Sequence, residues 1–343
     1  MLAVDDRWRA KGSVSLQGLL RDVREAAIAS ATITRIKIYG GDSMKLVTYL
    51  DGHLRVGAVV DRRVVDLSER FDAMMALIEE GEPALEEVRS LAKTANPVAE
   101  VAEVKLRAPI PHPRRNVFCM GWNYLTHFEE GQGRRGNQEE ELPEYPTFFD
   151  KPTTTVIGPY DDIPFDPNFS EKMDYEAELA VVIGRTGRSI PAAKAMDHIF
   201  GYTIANDISA RDVQRRHGGQ WLKGKGMDGS CPLGPWILTV DEIADPQNLQ
   251  VQCRVNSVEK QNSNTKFMIF SIAKLIEELS LAMTLLPGDI LLTGTPEGVG
   301  YARTPPEYLS PGDEVTVTVS DIGKITNRVA ERSLTRQENP RIV

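Results

Sequence analysis

The stretch DYEAELAVVIG, at residues 174–184, gives the clearest indication of the fold of this chain. Its side chains follow the two-residue alternation of a strand, so Asp174, Glu176 and Glu178 share one face. The apolar residues around these acids are typical of a buried strand. Because an unpaired carboxylate is costly to bury, the acids require a cation, a proton or a basic partner.

A second apolar segment, GYTIAN at residues 201–206, is followed directly by Asp207. Carboxylates from two strand ends suit a hard divalent cation, so we predict a metal site formed by Glu176, Glu178 and Asp207. Asp174 stands at the entry to its strand and is predicted to lie behind these ligands. The residues alone leave two alternatives open. Glu176 and Glu178 can be exposed acids on a strand edge, and Asp207 can cap the helix that follows.

Composition limits the classes of function that this chain can have. It has 343 residues, 41% of them hydrophobic, and 40 basic against 49 acidic residues give a net charge of −9. Such a chain can bury a large core. It has neither an apolar run of membrane-spanning length nor a basic stripe, so we expect neither a membrane nor a nucleic acid as partner. Three widely separated cysteines and no secretory signal favour a cytoplasmic location.

The pattern of apolar and turn residues divides the chain into three segments. Residues 1–43 form a peripheral extension of different composition. Residues 44–107 read as three short strands followed by two helices, a small α/β unit. Residues 108–343 begin with a proline-punctuated linker and then combine strands with scattered helices, without regular βαβ order. This order predicts an α+β fold with a mixed sheet, and the loop at residues 131–143 is a candidate lid.

His127 and Glu130 lie three residues apart in the segment NYLTHFEE. On a helical turn this spacing places both on one side. The carboxylate can then hold one imidazole nitrogen and make the other a stronger base, which suits the activation of a water. The spacing alone, however, favours unrelated charges on a solvated helix.

Four further polar residues occupy positions that suit ligand contacts. Lys225 lies among the glycines of WLKGKGMDGS, where the backbone can approach a ligand closely. Arg211 and Gln214 occupy positions i and i+3 of the helix predicted after Asp207, so both can reach one anionic group beside the metal. Thr295 lies in the turn TGTPEGVG, where hydroxyl and backbone N–H groups can serve an oxyanion. This turn lacks the GxxxxGK[ST] pattern, which argues against nucleotide binding.

Seven motifs follow one another along the chain. They are GWNYLTHFEE, FFDKP, DYEAELAVVIG, GYTIANDISARDVQ, GGQWLKGKGMDGSCPLGPW, LLPGDILLTGTPEGVG and LSPGDEV. In this order they resemble the fumarylacetoacetate hydrolase superfamily over residues 44–330, and most of all its bacterial acylpyruvate hydrolases and 2-oxohept-3-ene-1,7-dioate-type enzymes. Three departures bear on the substrate more than on the metal site. Gly226 follows Lys225 where serine is common, Glu297 stands where a small residue is usual, and the loop at residues 131–143 is longer than expected.

The resemblance implies a fold, an assembly and a cofactor. The fold is a mixed β-sandwich roll carrying the small N-terminal α/β unit, and the assembly is a homodimer. The cofactor is Mg²⁺ or Mn²⁺, with open coordination positions for substrate and water. The implied metal ligands are Glu176, Glu178 and Asp207.

The resemblance also implies a reaction, the cleavage of the C–C bond of a 2,4-dioxo acid such as an acylpyruvate. His127, oriented by Glu130, deprotonates the attacking water, and Lys225 stabilises the oxyanion or the enolate that leaves. The expected partner is therefore a small 2-oxo acid. The implied substrate contacts are Arg211, Gln214, Thr295 and Lys151.

Two other functions fit the same residues. Decarboxylation or keto–enol isomerisation of a 2-oxo dicarboxylic acid, such as oxaloacetate, passes through the same chelated enolate. A decarboxylase can dispense with His127 and Glu130, whereas a hydrolase needs both. A non-catalytic oxo-acid-binding protein is disfavoured, because every predicted metal ligand is retained.

Overall fold

The computed structural model describes residues 44–134, 141–217 and 219–335. The predicted extension at residues 1–43 lies outside the described residues, as do residues 135–140 of the candidate lid. No helix in the described ranges is long and apolar enough to cross a membrane. The helices are α1 (Met74–Glu80), α2 (Glu82–Thr94), α3 (Leu125–Glu130), α4 (Ala192–Ala195), α5 (Arg211–Arg216), α6 (Leu222–Lys225) and α7 (Ile272–Ser280).

Strands make up most of the regular structure in these ranges. The first eleven are β1 (Lys45–Asp51), β2 (His53–Val60), β3 (Arg63–Asp66), β4 (Ala99–Glu100), β5 (Lys105–Leu106), β6 (Val117–Met120), β7 (Phe148–Lys151), β8 (Val156–Ile157), β9 (Ile163–Phe165), β10 (Met173–Asp174) and β11 (Ala177–Ile183). The others are β12 (Gly187–Arg188), β13 (Ile199–Asn206), β14 (Ser209–Ala210), β15 (Cys231–Thr239), β16 (Gln250–Val255), β17 (Val258–Asn264), β18 (Thr284–Leu285), β19 (Ile290–Leu292), β20 (Glu314–Val319) and β21 (Gly323–Glu331).

One large sheet of twelve described strands runs through the molecule. Its main path has the order β4-β3-β2-β1-β15-β13-β11-β19-β6-β7, with β5 beside β1 and β8 beside β15. Most neighbours are antiparallel, but β19 pairs with β6, and β15 with β8, in parallel. The predicted α+β class with a mixed sheet is therefore confirmed.

Strand β11 lies inside this sheet, and all seven of its residues are buried. Leu179 and Val181 belong to a hydrophobic cluster that also contains the inward valines of β16 and β20. Ala180 and Val182, on the other face, belong to a second cluster with the apolar residues of α1 and α2. Alternate side chains of β11 therefore point into two different hydrophobic cores, and neither face of the strand is exposed to solvent.

The second sheet covers one face of the first, which produces the predicted sandwich. Its five described strands have the order β17-β16-β20-β21-β9. Val251 of β16 and Val317 of β20 are fully buried in the cluster that contains Leu179. Residues that alternate along these strands thus form a core between two sheets.

Helix α7 is shorter than the apolar pattern predicts. Ser271 is its N-cap, as expected, and its side chain accepts a hydrogen bond of 3.2 Å from the backbone N–H of Lys274. Apolar residues at helical spacing in the sequence predict a helix over residues 270–286, but the observed helix ends at Ser280. Ala282 has a φ of 58°, so the chain turns there and continues into strand β18.

The predicted small unit, residues 44–107, shares the large sheet with the rest of the chain. Its strand β1 pairs with β15, with Lys45 opposite Leu238. The described residues on both sides of residue 108 belong to one compact unit. The division at residue 108 stays a prediction about function, because the structure joins the two segments in one sheet.

Candidate active site

The pairing of β11 with β13 brings the three predicted metal ligands together. The strands are antiparallel and Ala177 lies opposite Asn206, so the residue before β11 meets the residue after β13. Glu176 therefore stands beside Asp207, and the backbone N–H of Asp207 donates to the carbonyl of Glu176 at 2.9 Å. Glu178 follows within β11. The prediction that the acids share one continuous strand is wrong. The chain leaves β10, which pairs with β14 in a small separate sheet, at Asp174 and enters the large sheet only at Ala177.

The three carboxylates form a compact buried cluster. Glu176, Glu178 and Asp207 each place a ligand oxygen within 4.8 Å of the others. Their exposed fractions are 5%, 1% and 0%, so the alternative of exposed acids on a strand edge is wrong. Asp207 precedes β14, and its carboxylate contacts lysines, so it is not the predicted alternative helix cap.

Glu178 provides the sharpest indication that this cluster fits a divalent cation. Its Oε2 accepts a hydrogen bond of 2.6 Å from the backbone N–H of Gly294, but its Oε1 is buried without a hydrogen-bond partner among the described residues. Burial, with the negative charges of Asp207 and Glu176, raises the pKa of Glu178 well above its usual range. An orphaned oxygen among hard carboxylate ligands is what Mg²⁺ or Mn²⁺ would satisfy, with release of the proton.

Lys225 brings positive charge into the same cluster. Its Nζ lies 2.6 Å from Glu176 Oε2 and 2.8 Å from Asp207 Oδ2. Burial works against charge on Glu176, but Lys225 and Arg211 outweigh it and lower the pKa of Glu176 to about 2. Burial likewise opposes the charge of Lys225, but Asp207 and Glu176 raise its pKa. The ammonium thus stands charged beside two of the predicted ligands.

Lys151 supports Asp207 from the other side. Its Nζ donates to Asp207 Oδ1 at 2.8 Å and also contacts the carbonyls of Ile208 and Lys225. Lys151 is fully buried and does not line the cleft described below. Its position is that of a residue that orients a predicted metal ligand, and its predicted substrate contact stays a prediction.

His127 and Glu130 form the predicted pair on helix α3. Glu130 Oε1 lies 2.7 Å from His127 Nδ1, and Glu130 Oε2 accepts a hydrogen bond of 2.7 Å from the backbone N–H of Gly298. His127 is only 4% exposed, so the alternative of a solvated helix with unrelated charges is wrong. The carboxylate is held at both oxygens, which leaves Nε2 as the imidazole nitrogen for proton transfer.

A cleft opens beside this pair. It brings together five of the residues that the sequence predicts for the site. They are His127, Glu176, Lys225, Arg211 and Gln214. A base, one carboxylate of the cluster and cations therefore face one space.

Arg211 is bound within the protein as well as facing the cleft. Its Nε donates to Asp174 Oδ2 at 2.8 Å, its Nη2 forms an ion pair of 2.7 Å with Glu176 Oε1, and its Nη1 donates to Gln214. Asp174 also accepts the backbone N–H groups of Gly300 and Tyr301. Asp174 thus lies behind the ligands, as predicted, and connects helix α5 to the turn that carries Tyr301.

Thr295 lies near the cluster but outside the lining of the cleft. Its hydroxyl donates to the carbonyl of Ala177 at 3.0 Å and accepts from Gln261 at 2.8 Å. The side chain is 1% exposed. These contacts fix the turn against β11, and its predicted role as an oxyanion donor stays a prediction.

Sequence reasoning missed the aromatic wall and part of the charged rim. Trp122 and Trp221 pack edge to face with ring centroids 4.9 Å apart, and Phe149 packs against Trp221 at 5.3 Å. All three line the cleft, and so do Arg215 and Tyr301. Glycines beside the tryptophans could have indicated this wall, because glycine allows a ring to pack against the backbone. A Cβ at Gly121 would lie 2.7 Å from the Trp221 ring.

Gly224 does not allow the backbone to approach a ligand, as the sequence predicted for the glycines around Lys225. A Cβ at Gly224 would overlap the backbone of Gln214, so this glycine lets α6 approach α5 and not a ligand. We expect Gly224→Ala to lower the free energy of unfolding by about 1–3 kcal/mol and to displace Lys225, which lowers activity. Urea denaturation and turnover would measure both effects.

The matched control for this change is Lys223→Ala, at an exposed position of the same helix. It should change the free energy of unfolding by about 0.5 kcal/mol or less. Equal stability of the Gly224 and Lys223 variants would contradict the tight contact between the helices.

Comparisons with known proteins agree with this geometry. The family model for the fumarylacetoacetate (FAA) hydrolase C-terminal region matches residues 116–330. The chain is 46% identical over 257 residues to the mitochondrial oxaloacetate tautomerase FAHD2A of Bos taurus, covering 75% of this chain and 79% of that protein. It is 40% identical over 306 residues to the oxaloacetate tautomerase YisK of Bacillus subtilis, covering 83% of this chain and 100% of that protein.

A solved structure extends the likeness to the fold. The maleylpyruvate hydrolase of Sphingobium sp. SYK-6, in complex with manganese(II) and pyruvate, is 29% identical with a TM-score of 0.70. The match covers 84% of this chain and 100% of that one. The residues matched by the family model include every residue named as lining the cleft. This chain belongs to the fumarylacetoacetate hydrolase family of enzymes.

Proposed function

We propose that this enzyme catalyses the keto–enol isomerisation of a 2-oxo dicarboxylic acid, with oxaloacetate as the reference substrate. The observation that carries the proposal is that His127, held by Glu130, lines one cleft with Glu176 and Lys225. A proton-transfer group and a group of charges that stabilise an enolate are thereby placed around one small molecule. Both are needed to move a proton between carbon and oxygen.

The relatives favour isomerisation over the hydrolysis that the motifs suggested. The two curated relatives compared above are named oxaloacetate tautomerases, at 46% and 40% identity. The solved hydrolase is more distant, at 29% identity. The C–C hydrolase of acylpyruvates is therefore the weaker proposal, although its enolate would be stabilised in the same way.

The chemistry moves one proton between the enol oxygen at C2 and the carbon C3. His127 Nε2 would hold the transferring proton, because Nδ1 is engaged by Glu130. The Glu130 carboxylate fixes the tautomer and orientation of the ring and stabilises the imidazolium. The Lys225 ammonium would offset negative charge on the substrate oxygen, and the aromatic wall would limit the access of water.

A divalent cation fits the carboxylate cluster. Glu176, Glu178 and Asp207 would hold it, and when bound it supplies a Lewis acid that stabilises charge on the 2-oxo oxygen. Either Mg²⁺ or Mn²⁺ suits these oxygen ligands. Mn²⁺ is the ion in the related hydrolase structure.

Assembly and location complete the proposal. We expect a homodimer in the cytoplasm that acts on a small molecule, with neither nucleic acid nor a membrane as partner. Net charge and motif order support this expectation. Size-exclusion chromatography with light scattering would test the dimer.

The test of function is ketonisation of enol-oxaloacetate, followed by the loss of enol absorbance with Mg²⁺ or Mn²⁺ present. We expect a kcat/KM of about 10⁴ M⁻¹s⁻¹ or above. In D₂O the product should carry deuterium at C3 in a single configuration, because one imidazole delivers it from one side. NMR spectroscopy would determine the configuration.

Two outcomes would contradict isomerisation. Racemic label at C3 would mean that ketonisation happens in solution. Release of pyruvate from an acylpyruvate with the higher kcat/KM would assign the enzyme to the hydrolases instead.

A further inference from the structure

Helix α3 carries both members of the proposed proton-transfer pair, but it is too short to hold its own position. It has six residues, and no side chain among the described residues caps its N-terminus. Because a helix of this length gains little stability from its own hydrogen bonds, tertiary contacts must fix it. Two of its six side chains, His127 and Phe128, are buried. Contacts at the other positions therefore help to decide how firmly His127 is held in the cleft.

The helix lies against residues 297–304, which we call the Tyr301 segment. A glycine fits this segment closely to the protein behind it. Gly298 has a φ of 102°, and a Cβ there would lie 2.1 Å from the carbonyl oxygen of Lys260. Asp174 accepts a hydrogen bond of 3.0 Å from the backbone N–H of Tyr301. The Tyr301 segment is thus held from behind, by contacts that do not involve helix α3.

Helix α3 and the residues after it are joined to this segment by the side chains of Thr126, Glu130 and Arg134. Thr126 Oγ1 donates to Glu297 Oε2 at 2.6 Å, and Glu130 Oε2 accepts from the backbone N–H of Gly298 at 2.7 Å. Arg134 follows Glu130 by four residues, as Glu130 follows Thr126. The carboxylate that orients His127 therefore lies between two further anchors.

Arg134 makes the most extensive of these contacts. Its Nη1 donates to the carbonyls of Tyr301 at 3.2 Å and Arg303 at 2.5 Å, and its Nη2 donates to the hydroxyl of Thr304 at 2.6 Å. One planar guanidinium thus binds three residues of the segment, which fixes its orientation as well as its distance. Because the donor is charged, these hydrogen bonds are stronger than bonds between neutral groups.

We propose that Arg134 is a positioning residue for the proton transfer. It holds helix α3 against the Tyr301 segment and so keeps the Glu130 carboxylate in contact with His127. Arg134 lies outside the lining of the cleft, so it acts through this pair and not on the substrate. The inference rests on the proposed function and adds the residue on which the geometry of its acid–base pair depends.

The first test is the steady-state kinetics of Arg134→Ala in the Mn²⁺-loaded enzyme. We expect the kcat for ketonisation of enol-oxaloacetate to fall about 10- to 100-fold, which is less than the loss of the general acid–base group itself can cost. The KM should change less than about threefold, because the carboxylates and cations of the cleft keep their places. Arg134→Lys should retain more of the kcat, because its ammonium can still donate to some of the same oxygens.

The matched control is Gln132→Ala, because Gln132 is exposed two residues before Arg134. It should leave kcat and KM unchanged. The Mn²⁺ affinity of every variant should equal that of the wild type, which verifies that the carboxylate cluster is intact.

A double-mutant cycle separates action through the pair from a general structural role. In the His127→Asn background the imidazole that Arg134 positions is gone, so Arg134→Ala should lower kcat further by less than about twofold. An equal fold-loss in both backgrounds would overturn the inference. So would an unchanged kcat in the single variant.

Proton NMR spectroscopy tests the inference without turnover. The Nδ1 proton between His127 and Glu130 should resonate far downfield, and its absence in His127→Asn identifies it. In Arg134→Ala this proton should exchange with solvent about tenfold faster or more, because helix α3 leaves its support more often. Gln132→Ala should show the wild-type rate. An unchanged exchange rate in Arg134→Ala would overturn the inference.

Failure of this inference is distinguishable from failure of the proposed function. If the wild-type enzyme ketonises no enol-oxaloacetate, the proposed function is wrong, and the exchange rate decides the role of Arg134. If the wild type is active and Arg134→Ala keeps both its kcat and its exchange rate, the proposed function stands and the inference about Arg134 falls.

Discussion

Replacing Glu178 by glutamine should lower kcat/KM by about 10³-fold or more, which corresponds to about 4 kcal/mol of transition-state stabilisation. The physical reason is the orphaned Glu178 Oε1, which lies buried without a hydrogen-bond partner among the described residues. The substitution would replace a negative ligand by a neutral amide. The cation that stabilises charge on the substrate oxygen would then bind far more weakly.

The same variant should remain folded, which makes the result interpretable. Glutamine can still accept the hydrogen bond from the backbone N–H of Gly294, which reaches Glu178 Oε2 at 2.6 Å. The amide also removes repulsion from Asp207 and Glu176, the negative charges that help raise the pKa of Glu178. We therefore expect the metal-free variant to unfold at the same temperature as the metal-free wild type, or above it.

Mn²⁺ binding, measured by calorimetry or electron paramagnetic resonance, provides the readout beside activity. The matched control is Glu297→Gln, because Glu297 binds the hydroxyl of Thr126 at 2.6 Å and lies outside the carboxylate cluster. It should leave Mn²⁺ affinity unchanged. Unchanged Mn²⁺ affinity in the Glu178 variant would remove this residue from the metal site.

Replacing His127 by asparagine should lower kcat by about 10²–10⁴-fold, the usual contribution of a positioned general acid–base group. His127 is the imidazole of the cleft, and its Nδ1 lies 2.7 Å from Glu130. Mn²⁺ affinity should stay the same, because the imidazole does not belong to the carboxylate cluster. Rapid-mixing measurement of ketonisation, together with Mn²⁺ titration, would separate the two effects.

Glu130 offers a graded version of this experiment. Glu130→Gln keeps the size of the side chain but removes the charge that stabilises an imidazolium, so its loss of kcat should be smaller than that of the His127 variant. Glu129→Gln is the matched control, because Glu129 is exposed on the same helix. Equal rates for the Glu129 and Glu130 variants, or full activity without His127, would refute a proton-transfer role for the pair.

The sequence predicted which carboxylates form the cluster, but not how the backbone brings them together. The identity of Glu176, Glu178 and Asp207 followed from chemistry, because buried carboxylates need a cation. The predicted single strand from Asp174 to Ile183 was wrong, because side-chain alternation continues through the break after β10. A period of two residues cannot reveal where the backbone leaves the sheet.

The spacing of His127 and Glu130 likewise predicted their contact but not their burial. The interval between His127 and Glu130 placed both on one side of a turn, and the structure brings them to 2.7 Å. The same spacing left burial undecided, because a solvated helix shows it too. His127 is buried where helix α3 meets the distant turn at Gly298, whose backbone N–H donates to Glu130.

The family, the mixed α+β fold and the residue types of the site could be predicted from the sequence, because they depend on local alternation and on motif order. Only the tertiary structure decided that Arg211 is paired with Asp174, that Lys151 lies behind Asp207, and that Arg215 rests on Tyr301. Such contacts join residues far apart in the chain, and no local pattern records how charge is balanced between them.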